Sequence, residues 1–97
     1  MFAATTDDDG KFRLSIRRIR TIKTFHNKHG NPVDITFTSL AKARNCANEL
    51  NELYVDEFER NWDKREGTYI GANHDEANVL MTNMLDLIGK YTTLDRG

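Results

Sequence analysis

Apolar and polar residues alternate near the start of the chain, and apolar residues recur every three or four positions later on. Phe12, Leu14 and Ile16 are separated by Arg13 and Ser15, which is the two-residue period of a strand. Phe2 and Ala4 have the same spacing on the other side of Asp9-Gly10. The glycine of that dipeptide tolerates the positive φ of a tight turn, so the segment predicts a hairpin. The alternation breaks at Arg17-Arg18, and apolar residues resume at Ile19, Ile22 and Phe25. A bulge at the two arginines would absorb the extra residue, either re-aiming one long strand or linking two shorter ones. Ile16, Ile19, Ile22 and Phe25 also fit a helix, but the β-branched content and the lack of a clear cap favour strand.

Residues 26–32 predict a loop. Gly30 and Asn31 suit turns, and Pro32 steers Asn31 away from helical angles. Val33, Ile35 and Phe37 then alternate with Asp34, Thr36 and Thr38 as a short strand, ending at Ser39, a helix-capping residue type. From Leu40 to Trp62 the spacing predicts one long helix. Leu40, Ala43, Ala47, Leu50, Tyr54 and Phe58 form its apolar stripe, widened by Cys46, Leu53 and Trp62. About 23 residues at 1.5 Å each make a rod of roughly 35 Å, whose aromatic end would overhang the core. Residues 63–72 form a connector in which Tyr69 and Ile70 either enter the core or pair at a sheet edge. Asn73 followed by Glu76 resembles a capping box. It opens a second helix running to Tyr91, with Ala77, Leu80, Met81, Met84, Leu85, Ile88 and Tyr91 facing inward. The order β-β-β-α-α implies a single α+β domain over residues 1–97, with a curled three-stranded antiparallel sheet and two amphipathic helices packed on one face.

Composition agrees with a folded domain. The chain has 97 residues, 38% of them hydrophobic, including five Phe, three Tyr and one Trp. A single cysteine rules out an internal disulfide and suits a reducing compartment. No apolar run reaches the roughly 20 residues needed to span a bilayer. The first residues lack the basic and apolar regions of a secretory signal, so a cytoplasmic location without membrane association is expected.

Charge changes the picture more than composition does. The net charge of −1 conceals a polarised chain. Residues 1–33 carry seven bases and three acids, for +4, and residues 34–97 carry seven bases and twelve acids, for −5. All seven N-terminal bases lie between Lys11 and Lys28, a stretch with no acid. Such segregation speaks to partners and orientation rather than to fold.

Candidate chemistry is thin. His26-x-x-His29 has a metal-ligand spacing that Cys46 or His74 would complete, but Lys28 between the histidines opposes a cation, and Cys46 lies on an apolar helix face where cysteine acts as a small hydrophobe. Asp7-Asp8-Asp9-Gly10 fails as a calcium loop. With Gly10 in sixth position, Thr5 and Ile16 would occupy the ends, where acids are required. A solvated acidic turn held near the arginines is the simpler expectation. Glu49, Glu52, Asp56 and Glu59 read as a solvated helix face, and Asp75 and Glu76 as acids placed favourably at a helix start. No catalytic, cofactor-binding, metal-binding or small-molecule site is therefore expected, and the chain reads as non-enzymatic.

The basic segment has the stronger functional reading. Lys11, Arg13, Arg17, Arg18, Arg20, Lys23 and Lys28 would form an electrostatic face of the sheet, with Lys11, Arg13, Ser15 and Arg17 on the side opposite Phe12, Leu14 and Ile16. The competing explanation is that these bases solubilise an open sheet face and protect its edge. Aromatic residues do not alternate with them, so the stacking platform of single-strand-binding sheets is absent. The expected function is a small binding or regulatory protein acting by surface occupancy. It would dock on an acidic protein surface or a protein–nucleic-acid complex, in the style of small inhibitors encoded by viruses and mobile elements. Direct, sequence-independent nucleic-acid binding is one alternative, and a small metal-dependent or cysteine-dependent enzyme using His26, His29, Cys46 or His74 is the other. Tyr54, Phe58, Trp62 and Tyr69 are the expected apolar interface anchors, and pairing of the oppositely charged halves makes a homodimer a further expectation.

Overall fold

The computed structural model describes residues 1–16, 20–22, 24–27, 29–60, 62–63, 68–69 and 75–94, with the backbone alone for residues 20, 62–63, 68–69 and 75–77. Strand β1 (Phe2–Thr6) pairs antiparallel with β2 (Phe12–Ile16), placing Phe2 opposite Ile16 and Thr6 opposite Phe12. Strand β3 (Arg20–Ile22) pairs antiparallel with the other edge of β2, giving a three-stranded antiparallel sheet in the order β1-β2-β3. Its third member is β3 and not the strand expected at residues 33–38, which is regular only as far as Asp34. The proposed bulge at Arg17-Arg18 lies outside the described residues. Of the two arrangements it allowed, β2 and β3 are two shorter strands rather than one long one. Strands β4 (Thr24–His26) and β5 (Pro32–Asp34) form a second antiparallel ladder. Beyond it the chain returns to β2, where the Phe37 N–H donates to the Phe12 carbonyl at 2.9 Å.

Two hairpin turns share one construction. Asp7 Oδ1 accepts from the N–H groups of Asp9 and Lys11, at 3.0 and 2.9 Å. Asn27 Oδ1 accepts from His29 and Asn31, at 2.9 and 3.0 Å. Three residues after each Asx residue, a glycine donates its N–H to the Asx carbonyl. These are Gly10 with φ 77° and Gly30 with φ 80°, conformations that a side chain would strain. Asp and Asn serve alike because the turn uses only a side-chain oxygen.

Helix α1 (Leu40–Leu53) begins at Ser39, whose Oγ accepts from the Lys42 N–H at 3.2 Å. It packs on β1 and β2 and buries Ala43, Cys46, Ala47 and Leu50. The single helix expected through Trp62 is not present. Tyr54 leaves helical angles at φ −131° and ψ −5°, and a short helix α2 (Val55–Arg60) follows. Hydrogen bonds from Tyr54 N–H to the Leu50 carbonyl and from Phe58 N–H to the Tyr54 carbonyl span this residue. The apolar repeat therefore carries through the break. Strands β6 (Trp62–Asp63) and β7 (Thr68–Tyr69) then form a small ladder of their own, with Trp62 opposite Tyr69, inside what the sequence suggested was helix end and connector.

Helix α3 (Asp75–Ile88) buries Leu80, Met81, Met84, Leu85 and Ile88 as expected, and also Leu87. It stops three residues before Tyr91, and Asn73 at its proposed cap lies outside the described residues. The turn after α3 is tied down at two points. Tyr91 Oη donates to Glu49 Oε1 at 2.5 Å, and Thr92 Oγ1 donates to the Thr36 carbonyl at 2.6 Å. Fully burying one Leu or Phe is worth about 1.5–3 kcal/mol, so the continuous cluster from Phe2 to Ile88 supplies most of the stabilisation. Among the described residues no helix is long and apolar enough to cross a membrane.

Candidate functional site

Arg13 departs furthest from expectation. Its alternation with Phe12 and Leu14 predicts an open sheet face, yet its side chain is only 5% exposed. Its Nε donates to Asp7 Oδ2 at 2.5 Å, while one Nη donates to Asp34 Oδ1 at 3.1 Å and to the Ile35 carbonyl at 3.0 Å. Ser15, the next residue on that face, is also buried. Strand β2 is therefore covered on both faces, because the Asp7 turn and the segment after β5 close over the polar one. Burial alone would push the Asp7 carboxyl pKa up. Hydrogen bonds from the Lys11 N–H, the Arg13 guanidinium and the Asp9 N–H outweigh it and hold the group below the ordinary 3.8. Burial likewise opposes charge on Arg13, and the Asp7 and Asp34 carboxylates keep it protonated. This is an internal clip that joins the first turn, β2 and the end of β5.

Lys11 stays exposed. Arg17, Arg18, Lys23 and Lys28 lie outside the described residues, as does the side chain of Arg20. Their described polar neighbours are informative. Thr21 on β3, Thr24 and His26 on β4, and His29 in the following turn are all exposed, while Ile22 and Phe25 between them are buried. These four described polar side chains therefore face solvent.

The apolar anchors divide. Phe58 is 1% exposed and sits in the core, its ring centroid 4.9 Å from that of Phe2 and 6.2 Å from that of Phe25. The bend at Tyr54 accompanies this inward placement, so Phe58 is a core residue and not an interface anchor. Tyr54 is half-buried against the same cluster. The side chains of Trp62 and Tyr69 lie outside the described residues. Leu53, placed by its spacing on the buried stripe, is instead 56% exposed. It borders an open groove of about 650 Å³ at the α1–α2 junction, lined also by Glu52, Asp56, Glu57 and Arg60. The sequence signalled this acidic rim through its regular spacing, but nothing in the spacing marked the helix break that shapes the groove.

Among the described residues the chemical candidates do not converge. Cys46 is fully buried, and burial, with the Glu49 charge adding to it, pushes its thiol up to about 12. His26 and His29 lie on the surface at the β4–β5 turn, and His74 falls outside the described residues. Among the described residues no group of three or more His, Cys, Asp or Glu side chains could hold a metal ion. No protein-family model, curated protein or solved structure matches the chain.

Proposed function

We propose that the protein is a small non-enzymatic binding protein that works by surface occupancy, docking the basic segment from Arg17 to Lys28 on an acidic protein surface or a protein–nucleic-acid complex. The observation that carries this reading is the solvent-facing polar side at Thr21, Thr24 and His26. These residues are interleaved with five bases, Arg17, Arg18, Arg20, Lys23 and Lys28, and no acid. Arg13 has no part in the docking face, because Asp7 and Asp34 already neutralise it. Lys11 stands at the near end of the basic stretch and contributes charge there. Glu49 and Glu52 late in α1, with Asp56, Glu57 and Glu59 in α2 against the single base Arg60, give the chain an acidic region, so an acidic partner is approached in one orientation. By covering an acidic surface, a protein of this kind acts as an inhibitor or accessory factor.

Affinity purification of the protein from its source cells, with and without nuclease, tests the reading. A stoichiometric protein partner that survives nuclease supports docking on protein. Recovery of nucleic acid alone, lost on nuclease treatment, transfers the segment to direct phosphate binding.

A further inference from the structure

The hydrogen-bond phase of β1 can be read from its ends. Phe2 gives both backbone groups to the Asn51 carboxamide, at 2.6 Å and 2.8 Å. At the other end, the Asp7 N–H bonds the Lys11 carbonyl, while the Phe12 carbonyl is taken by Phe37 on the far edge of β2. In an antiparallel ladder successive residues alternate between facing the partner and facing away. Ala3 and Thr5 therefore bond β2, whereas Phe2, Ala4 and Thr6 direct their N–H and C=O groups outward. Asn51 satisfies Phe2. Ala4 is half-buried, Thr6 is exposed, and among the described residues nothing partners the outward groups of either.

We propose that this edge is where a second copy of the chain docks, through antiparallel β1–β1 pairing about a two-fold axis at Thr5. Two identical edge strands meeting about a two-fold axis necessarily run antiparallel. With Phe2 occupied by Asn51, the register that uses the remaining outward groups sets Ala4 of each copy opposite Thr6 of the other. Thr5 then faces its own counterpart, a favourable cross-strand pair. The edge sequence Phe2-Ala3-Ala4-Thr5-Thr6 has no charge and no proline, so it lacks the usual devices that keep edges apart. The helix flank beside it is also permissive. Arg44 and Asn48, on the Asn51 side of α1, are exposed and neither is acidic, and Glu59, at the start of the strand, is paired with the Met1 amino group at 2.8 Å.

Sedimentation equilibrium of the full chain from about 1 μM to about 1 mM, with amide hydrogen exchange at both extremes, tests this. The expected result is a mass rising from 11.2 kDa toward twice that value, with slowed exchange at Ala4 and Thr6 in the dimer. Ala4→Pro removes an outward N–H without costing a ladder bond, and Thr6→Lys adds an edge charge on an exposed side chain. Each should weaken dimerisation by about tenfold or more with an unchanged far-UV spectrum. If Ala4→Pro fails to fold, Thr6→Lys decides. A wild-type mass that stays at 11.2 kDa overturns the proposal. So does a dimer that Thr6→Lys leaves intact, or one whose Ala4 amide exchanges as fast as in the monomer.

Discussion

The carboxamide of Asn51 clasps the backbone of Phe2, with Oδ1 accepting its N–H at 2.6 Å and Nδ2 donating to its carbonyl at 2.8 Å. The pair acts as a one-residue neighbouring strand, fixing the first residue of β1 to the end of α1. Each such bond contributes about 1 kcal/mol net, so Asn51→Ala should lower unfolding free energy by about 1–2 kcal/mol in urea titrations. Asn51→Asp keeps the acceptor and loses the donor, and should fall between the two.

The Arg13 clip predicts acid sensitivity. The folded state holds the Asp7 carboxyl below 3.8, so its contribution is complete above that value and is lost as pH falls through the lower folded pKa. Urea midpoints should decline in this acid range, and Asp7→Asn should flatten the decline. Arg13→Met leaves Asp7 without its guanidinium partner and should cost about 2–3 kcal/mol at neutral pH.

Phe58 and Leu53 separate core from surface on neighbouring turns. Phe58→Ala removes a ring that contacts both Phe2 and Phe25 and should destabilise by about 3–5 kcal/mol. Leu53→Ala should stay within about 0.5 kcal/mol, because its side chain is largely in water. Thermal or urea unfolding of the two variants measures the contrast.

The Cys46 thiol is buried and pushed up to about 12, so it is neither accessible nor ionised near neutrality. A thiol-reactive disulfide reagent at pH 8 should leave the native protein unlabelled and modify Cys46 fully once urea unfolds it. Rapid labelling of the native state would contradict the packing of α1.

Short-range patterns were legible where one physical signal acted alone. Alternation located β1 and β2, and the three-to-four spacing located the buried positions of α1 and α3, because burial repeats with backbone geometry. Alternation shows that Arg13 and Phe12 lie on opposite faces of β2, but not that the Arg13 face is covered. That depends on Asp7 and Asp34, which flank β2 at separate places in the sequence. The break at Tyr54 was hidden for a related reason. Hydrogen bonds and burial both continue from Leu50 to Phe58, so the apolar spacing does too. The equivalence of the Asp7 and Asn27 turns was present in the sequence, as an Asx residue three positions before a glycine. Of the candidate docking residues, the list of bases could be read directly, but the internal pairing that withdraws Arg13 could not.

Docking through the basic segment from Arg17 to Lys28 makes the complex electrostatic and therefore salt-dependent. The most direct test is the affinity for the nuclease-resistant partner from about 50 to about 200 mM salt, for wild type and for the combined Arg17→Ala, Arg18→Ala and Arg20→Ala variant. Docking through this segment predicts that wild-type affinity falls steeply with salt and that the variant, still folded, loses binding. A complex insensitive to salt and untouched by the three substitutions would contradict it.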